Sequence, residues 1–189
     1  MSEDIRKMID EVKNFKQFVN ENIGIKSGVN LVYQQYPELT NIGTQEQYSQ
    51  YLNTIFPNSK VKDILYHASR SKIEKFNESM FGTYFSYSPI THGGYGSVIN
   101  AAILNIKNPL ILPKASDSVE VKAQYNKDYR AYGNYTTDAD GYRSYKYDGS
   151  IEQSSVTENG IQVRARNPEQ IHILGSKQDI EGFKGFIKK

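Results

Sequence analysis

The sequence predicts an α+β domain. Near the start of the chain, apolar residues recur at three- and four-residue steps, the period of an amphipathic helix. After Lys62 the pattern changes to short β-branched runs cut by Gly, Pro, Asn and Ser. The 189 residues suffice for one core that needs neither disulfide nor metal to fold. Helices first and strands later argue against a doubly wound sheet.

Ile5, Met8, Ile9, Val12, Phe15 and Val19 describe a helix over residues 3–22, with Ser2 placed to cap it. Glu3 and Asp4 fall at the positive end of its dipole, and Gly24 and Gly28 break the pattern. A second helix starts at Thr44, because Thr44-Gln45-Glu46-Gln47 fits a capping box. Tyr48, Tyr51, Leu52, Ile55 and Phe56 form its apolar stripe, and Pro57 ends it. Both helices read as packing elements. The predicted strands are Asp63–His67, Thr83–Ser86, Val98–Lys107, Ile161–Arg166 and Gln170–Leu174. Residues 124–147 stand apart, holding seven of the 15 tyrosines with no clean period, and read as a long loop or twisted hairpin.

Composition excludes several classes. A formal charge of +2 is not that of a nucleic-acid binder recognised by charge alone. The absence of Cys removes disulfide scaffolds, Cys-ligated zinc, iron–sulfur clusters and thiol nucleophiles, and fits a reducing cytosol. His67, His92 and His172 share no metal-ligand spacing, so no metal is expected. Gly93-Gly94-Tyr95-Gly96 lacks the strand-then-helix context of a phosphate-binding loop, and no Gly-x-Ser-x-Gly is present. The acidic start is unlike a signal peptide, and no run approaches the ~18–20 apolar residues of a membrane span. The chain reads as a cytoplasmic protein without a membrane partner.

His67 closes the apolar run Ile64-Leu65-Tyr66 and is followed by Ala68 and Ser69. On a strand, His67 and Ser69 share a face, whereas Tyr84 and Phe85 point to opposite faces. Tyr95 sits in the Gly-rich turn. Tyr84 and Tyr95 are either ordinary half-buried aromatics or two walls around one flat ring, a stack that contributes about 0.5–1.5 kcal/mol beyond area burial.

Four segments, taken in order, bear a resemblance to a known family. They are Tyr66-His67-Ala68-Ser69, Gly82-Thr83-Tyr84-Phe85-Ser86-Tyr87-Ser88-Pro89, Leu104-Asn105-Ile106-Lys107-Asn108-Pro109-Leu110 and Asn167-Pro168-Glu169-Gln170-Ile171. Together they resemble the ADP-ribosyltransferase fold of the His-Tyr-Glu type shared by diphtheria toxin and the poly-ADP-ribose polymerases. The likeness is greatest to the small transferase domains of bacteriophage and mobile-element polyvalent proteins. It covers residues 45–175 and includes the lead-in from Tyr51 to Asp63. The resemblance implies a split β-sheet core in a transferase-like domain at 44–189, behind an N-terminal helical extension at 1–43. It also implies NAD as co-substrate, cleaved at the nicotinamide–ribose bond through an oxocarbenium-like transition state. His67 would bind an adenosine-ribose hydroxyl, Ser69 and the backbone at Ala68 would hold the carboxamide, and Tyr84 and Tyr95 would flank nicotinamide. His92 and Arg164 join the expected NAD contacts.

The third motif departs from the family, which places a Glu where this chain has Gln162. An amide can accept a hydroxyl proton but carries no charge, and losing such an electrostatic contact costs a few kcal/mol of barrier. Either the protein is an active variant using Gln162 or it is a weakened domain. Glu158 is either a carboxylate that swings in or a solvated turn acid. Gln162, Arg164 and Arg166 alternate onto one face, where the arginines are either solvated or hold phosphates. The Tyr-rich segment carries Lys122, Lys127, Arg130, Arg143 and Lys146, nearly cancelled by Asp128, Asp138, Asp140 and Asp148. That balance favours a host protein over nucleic acid as the acceptor. The alternatives are an NAD-binding or protein-interaction module of the same fold, or a nucleic-acid-modifying or nucleic-acid-binding protein.

Overall fold

Thr44 starts a helix in the way its sequence requires. Its hydroxyl accepts from the Gln47 N–H at 3.3 Å, while the Gln47 side chain accepts from the Thr44 N–H at 2.8 Å. The structure is a computed structural model that describes residues 24–78, 82–89, 95–112, 135–137, 143–153 and 161–189. The expected helix at 3–22, most of the Tyr-rich segment, His92 and Glu158 lie outside the described residues.

The described helices are α1 (Val29–Gln35), α2 (Gln45–Ile55) and α3 (Lys177–Ile187). None of them is long and apolar enough to cross a membrane. The strands are β1 (Leu65–Ser69), β2 (Thr83–Ser86), β3 (Val98–Leu104), β4 (Pro109–Leu112), β5 (Tyr135–Thr137), β6 (Arg143–Tyr145), β7 (Gly149–Gln153), β8 (Ile161–Ala165) and β9 (Ile171–Ile173). Seven of them form one mixed sheet in the order β4-β7-β8-β2-β1-β3-β9, and β5 and β6 pair as a separate antiparallel ribbon. The class is α+β.

The order of elements differs from helices first and strands later, because α3 closes the chain. Gly182 and Gly185 inside it weaken the local helical signal. A Cβ at Gly182 would meet the Tyr51 hydroxyl, so that glycine permits close approach of α2 and α3. α1 is equally faint in sequence, since its seven residues include β-branched Val29 and Val32. So short a helix is held by packing rather than by propensity.

Pleating sorts the side chains into two cores. Tyr66, Ala101 and Ile103 face the helices and pack with Val29, Val32, Leu39, Tyr48, Leu52 and Phe183. Leu65, Phe85, Ala102, Leu104, Val163 and Ala165 face the other way and pack with Val61, Phe76 and Ile106. Val29, Val32 and Leu39 therefore share one core with the segment after Thr44, so the boundary expected between residues 43 and 44 runs through that core.

The helical layer is pinned to the sheet by one buried carboxylate. Asp179, fully buried on α3, accepts from His172 Nε2 on β9 at 2.8 Å and from the Tyr48 hydroxyl on α2 at 2.5 Å. The Gly175 N–H adds a third donor at 2.8 Å. Asp179→Ala strands these donors and should lower stability by about 3–5 kcal/mol. Exposed Lys177→Ala should stay within about 0.5 kcal/mol, and both are read from urea unfolding midpoints.

The same packing sets an alkaline limit. Burial, reinforced by the Glu46 and Asp179 carboxylates, pushes the Tyr33 hydroxyl up to about 12. Burial and Asp179 also raise Tyr48 and Tyr51. The fold accommodates the protonated phenols, so their contribution is complete below about pH 10 and lost as pH rises through about 12. Denaturant midpoints should fall across that window, with absorbance at the tyrosinate band lagging behind that of free tyrosine.

Candidate functional site

β1 lies between β2 and β3, and alternation turns His67 toward the face that carries Phe85. The imidazole packs edge-on against Phe76, with centroids 5.2 Å apart, and lies 5.7 Å from the ring of Phe85. Its Nδ1 is 2.8 Å from the Tyr84 carbonyl oxygen. A carbonyl only accepts, so Nδ1 donates to it, and Nε2 is the ring nitrogen left for a ligand hydroxyl.

Ser69 shares that face. Its hydroxyl donates to the Ser71 carbonyl and accepts from Asn100 Nδ2 at 2.8 Å. Asn100, buried opposite His67, also accepts from the Ile73 N–H at 2.8 Å and so fixes the strand end and the loop after it. The Ser69 proton is committed, but its oxygen has room for one more donor such as a carboxamide N–H. Gly96, at φ 114°, approaches the Ser69 carbonyl so closely that a Cβ would overlap it. This approach holds Tyr95, 60% exposed, at the end of β1.

Tyr84 belongs to the opposite face. It stands across from Arg164 in the β2–β8 pair, and Arg164 NH1 donates to the Tyr84 hydroxyl at 2.9 Å. Arg164 is 1% exposed; its Nε donates to Ser150 Oγ at 3.1 Å, and Ser150 donates to Glu152 Oε1 at 2.8 Å. Arg164 NH2 lies 3.6 Å from the same carboxylate oxygen. Of the two readings of Arg164, the solvated one is excluded, and the guanidinium expected to contact NAD is instead engaged by Tyr84, Ser150 and Glu152 in an interior network. Arg166 is likewise not solvated: its guanidinium lies 3.7 Å from the Tyr145 ring centroid, and its Nε donates to the Tyr147 carbonyl at 3.1 Å.

Gln162 is half-buried, with Ser86 of β2 on one side and Glu152 of β7 on the other. Glu152 is therefore the carboxylate nearest in register to the position where the sequence lacks one. The sequence reading missed Glu152 and Ser150, although Gly149-Ser150-Ile151-Glu152-Gln153 alternates as a strand does.

The predicted site thus resolves into two sets. His67 and Ser69 share one face at the end of β1, the strand end that Tyr95 lies beside. Tyr84, Gln162 and Arg164 lie with Glu152 on the other face, Gln162 and Glu152 in the register row of Ser86 and Tyr66. Among the described residues β1 and β2 join through the register pair of Tyr66 with Ser86. His92 and Glu158 lie outside the described residues. No group of three His, Asp or Glu side chains among the described residues is arranged to hold a metal ion.

Arg164→Met leaves Glu152 buried without its countercharge and should cost about 3–5 kcal/mol in urea unfolding. Adding Glu152→Gln should recover part of that loss, because the amide needs no countercharge.

No known protein family matches the chain, and no curated protein does either. Among solved structures, it is similar to a crystal structure of an anti-CRISPR protein, at 14% identity over 59% of this chain and 93% of that one, with a TM-score of 0.32.

Proposed function

We propose that this chain is an NAD-dependent mono-ADP-ribosyltransferase acting on a host macromolecule, a protein in preference to nucleic acid. The observation that carries the reading is the strand register. The His67, Tyr84 and Gln162 motifs, far apart in sequence, lie on the adjacent strands β1, β2 and β8. The bond from His67 Nδ1 to the Tyr84 carbonyl supports it further, since it leaves Nε2 for a ribose hydroxyl.

In this reaction the bond from ribose C1′ to the nicotinamide nitrogen breaks, and its electron pair leaves with nicotinamide. A nucleophilic atom of the acceptor then bonds to C1′ and loses its proton. Ser69 and the backbone at Ala68 hold the carboxamide, and the exposed Tyr95 ring covers nicotinamide. Gln162 accepts from the ribose 2′-hydroxyl, and Glu152 beside it supplies the negative charge that an amide lacks. Because His67 and Gln162 address opposite faces, the dinucleotide must reach both round the end of the β1–β2 pair, past Ser69 and Thr83. Arg164 acts as a positioning residue that holds Tyr84 and Glu152 and does not touch phosphate. A second reading, an NAD-binding module without turnover, is favoured by Gln162 and by the engagement of Tyr84 and Glu152 with Arg164.

Wild-type protein should release nicotinamide from NAD and leave ADP-ribose adducts detectable by mass spectrometry in a host lysate. His67→Ala, Tyr84→Ala and Glu152→Gln, each checked for folding, should lower release about 100-fold or more. Gln162→Glu should raise it. Calorimetric NAD binding without release would establish the module instead, and absence of binding would reject both readings.

A further inference from the structure

A cavity of about 1000 Å³, lined by Phe76 but not by His67, is not used by the reaction above. Tyr51 and Phe56 of the α2 end, with Phe76, give it aromatic walls, and His172 lines it from β9. His172 is 8% exposed, and its Nε2 lies 2.8 Å from the Asp179 carboxylate. That carboxylate also accepts from Tyr48 and Gly175, so the His172 proton is held on Nε2. Nδ1 has no hydrogen-bond partner among the described residues, and with the ring proton on Nε2 it is the acceptor that faces the cavity. Lys75 and Lys177 face Glu74, Glu169 and Glu181 around the cavity. All five are exposed, and Glu74 is already 3.6 Å from Lys72. This lining gives no net attraction for an anion.

The structure assigns to this cavity a second small-molecule site, for an uncharged planar aromatic ring carrying an N–H or O–H donor. The donor reaches His172 Nδ1 and the ring lies among Tyr51, Phe56 and Phe76, the aromatic part of a lining that elsewhere carries polar and charged side chains. None of His67, Ser69, Tyr84, Tyr95, Glu152 and Gln162 lines this cavity, so the site is separate from the proposed NAD site and does not depend on that reading.

Indole and 1-methylindole, the same ring without the N–H, test it by NMR titration of the labelled full-length chain. Both should shift the His172 ring signals saturably, with indole binding about five- to tenfold tighter. Phe56→Ala should weaken both about tenfold, and Phe56→Leu, which keeps most of the apolar volume, should weaken them in the same direction. Tyr84→Phe and saturating NAD should leave indole binding unchanged. Equal affinity for the two probes, no saturable shift at His172, or displacement by NAD would each overturn the assignment.

Discussion

β1 and β2 are where two groups of strands meet in the sheet, β4, β7, β8 and β2 on one side and β1, β3 and β9 on the other. Among the described residues the register pair that joins the two groups is Tyr66 with Ser86. The bond from His67 Nδ1 to the Tyr84 carbonyl is a second tie between the two groups. Everything proposed for the site depends on this junction. It brings three distant motifs onto neighbouring strands, and its pleat sends His67 and Tyr84 to opposite faces.

Two buried polar networks hold these groups in shape. In one group, Arg164 links Tyr84, Ser150 and Glu152 across β2, β8 and β7. In the other, Asp179 links α2, α3 and β9 through Tyr48, Gly175 and His172. Such networks are costly to interrupt, because every group left behind is already out of water. Each also leaves a functional group in a fixed state, Glu152 beside Gln162 in one case and His172 Nδ1 at a cavity in the other.

Much of the framework could be read from residue order. The Thr44–Gln47 capping box, the Tyr84/Phe85 alternation and the glycine-bounded runs located α2, β2, β3, β8 and β9 within a few residues. α1 and α3 escaped because Val29, Val32, Gly182 and Gly185 are poor helix formers, and Val29, Val32 and Gly182 are held by contacts with residues far along the chain. β7, whose alternation follows directly on the Tyr-rich segment, was not among the predicted strands.

Local sequence by itself determined the capping, the strand periodicity, the lack of thiol chemistry and the absence of a glutamate at position 162, since each depends on residue type and near spacing. Only the tertiary structure decided which carboxylate stands beside Gln162, because cross-strand register between β7 and β8 is invisible in a single strand. It likewise decided that Arg164 is interior rather than solvated and that His67 and Tyr84 face apart. Side-chain direction follows from pleat, but which strands are neighbours follows from how the whole chain buries its apolar faces.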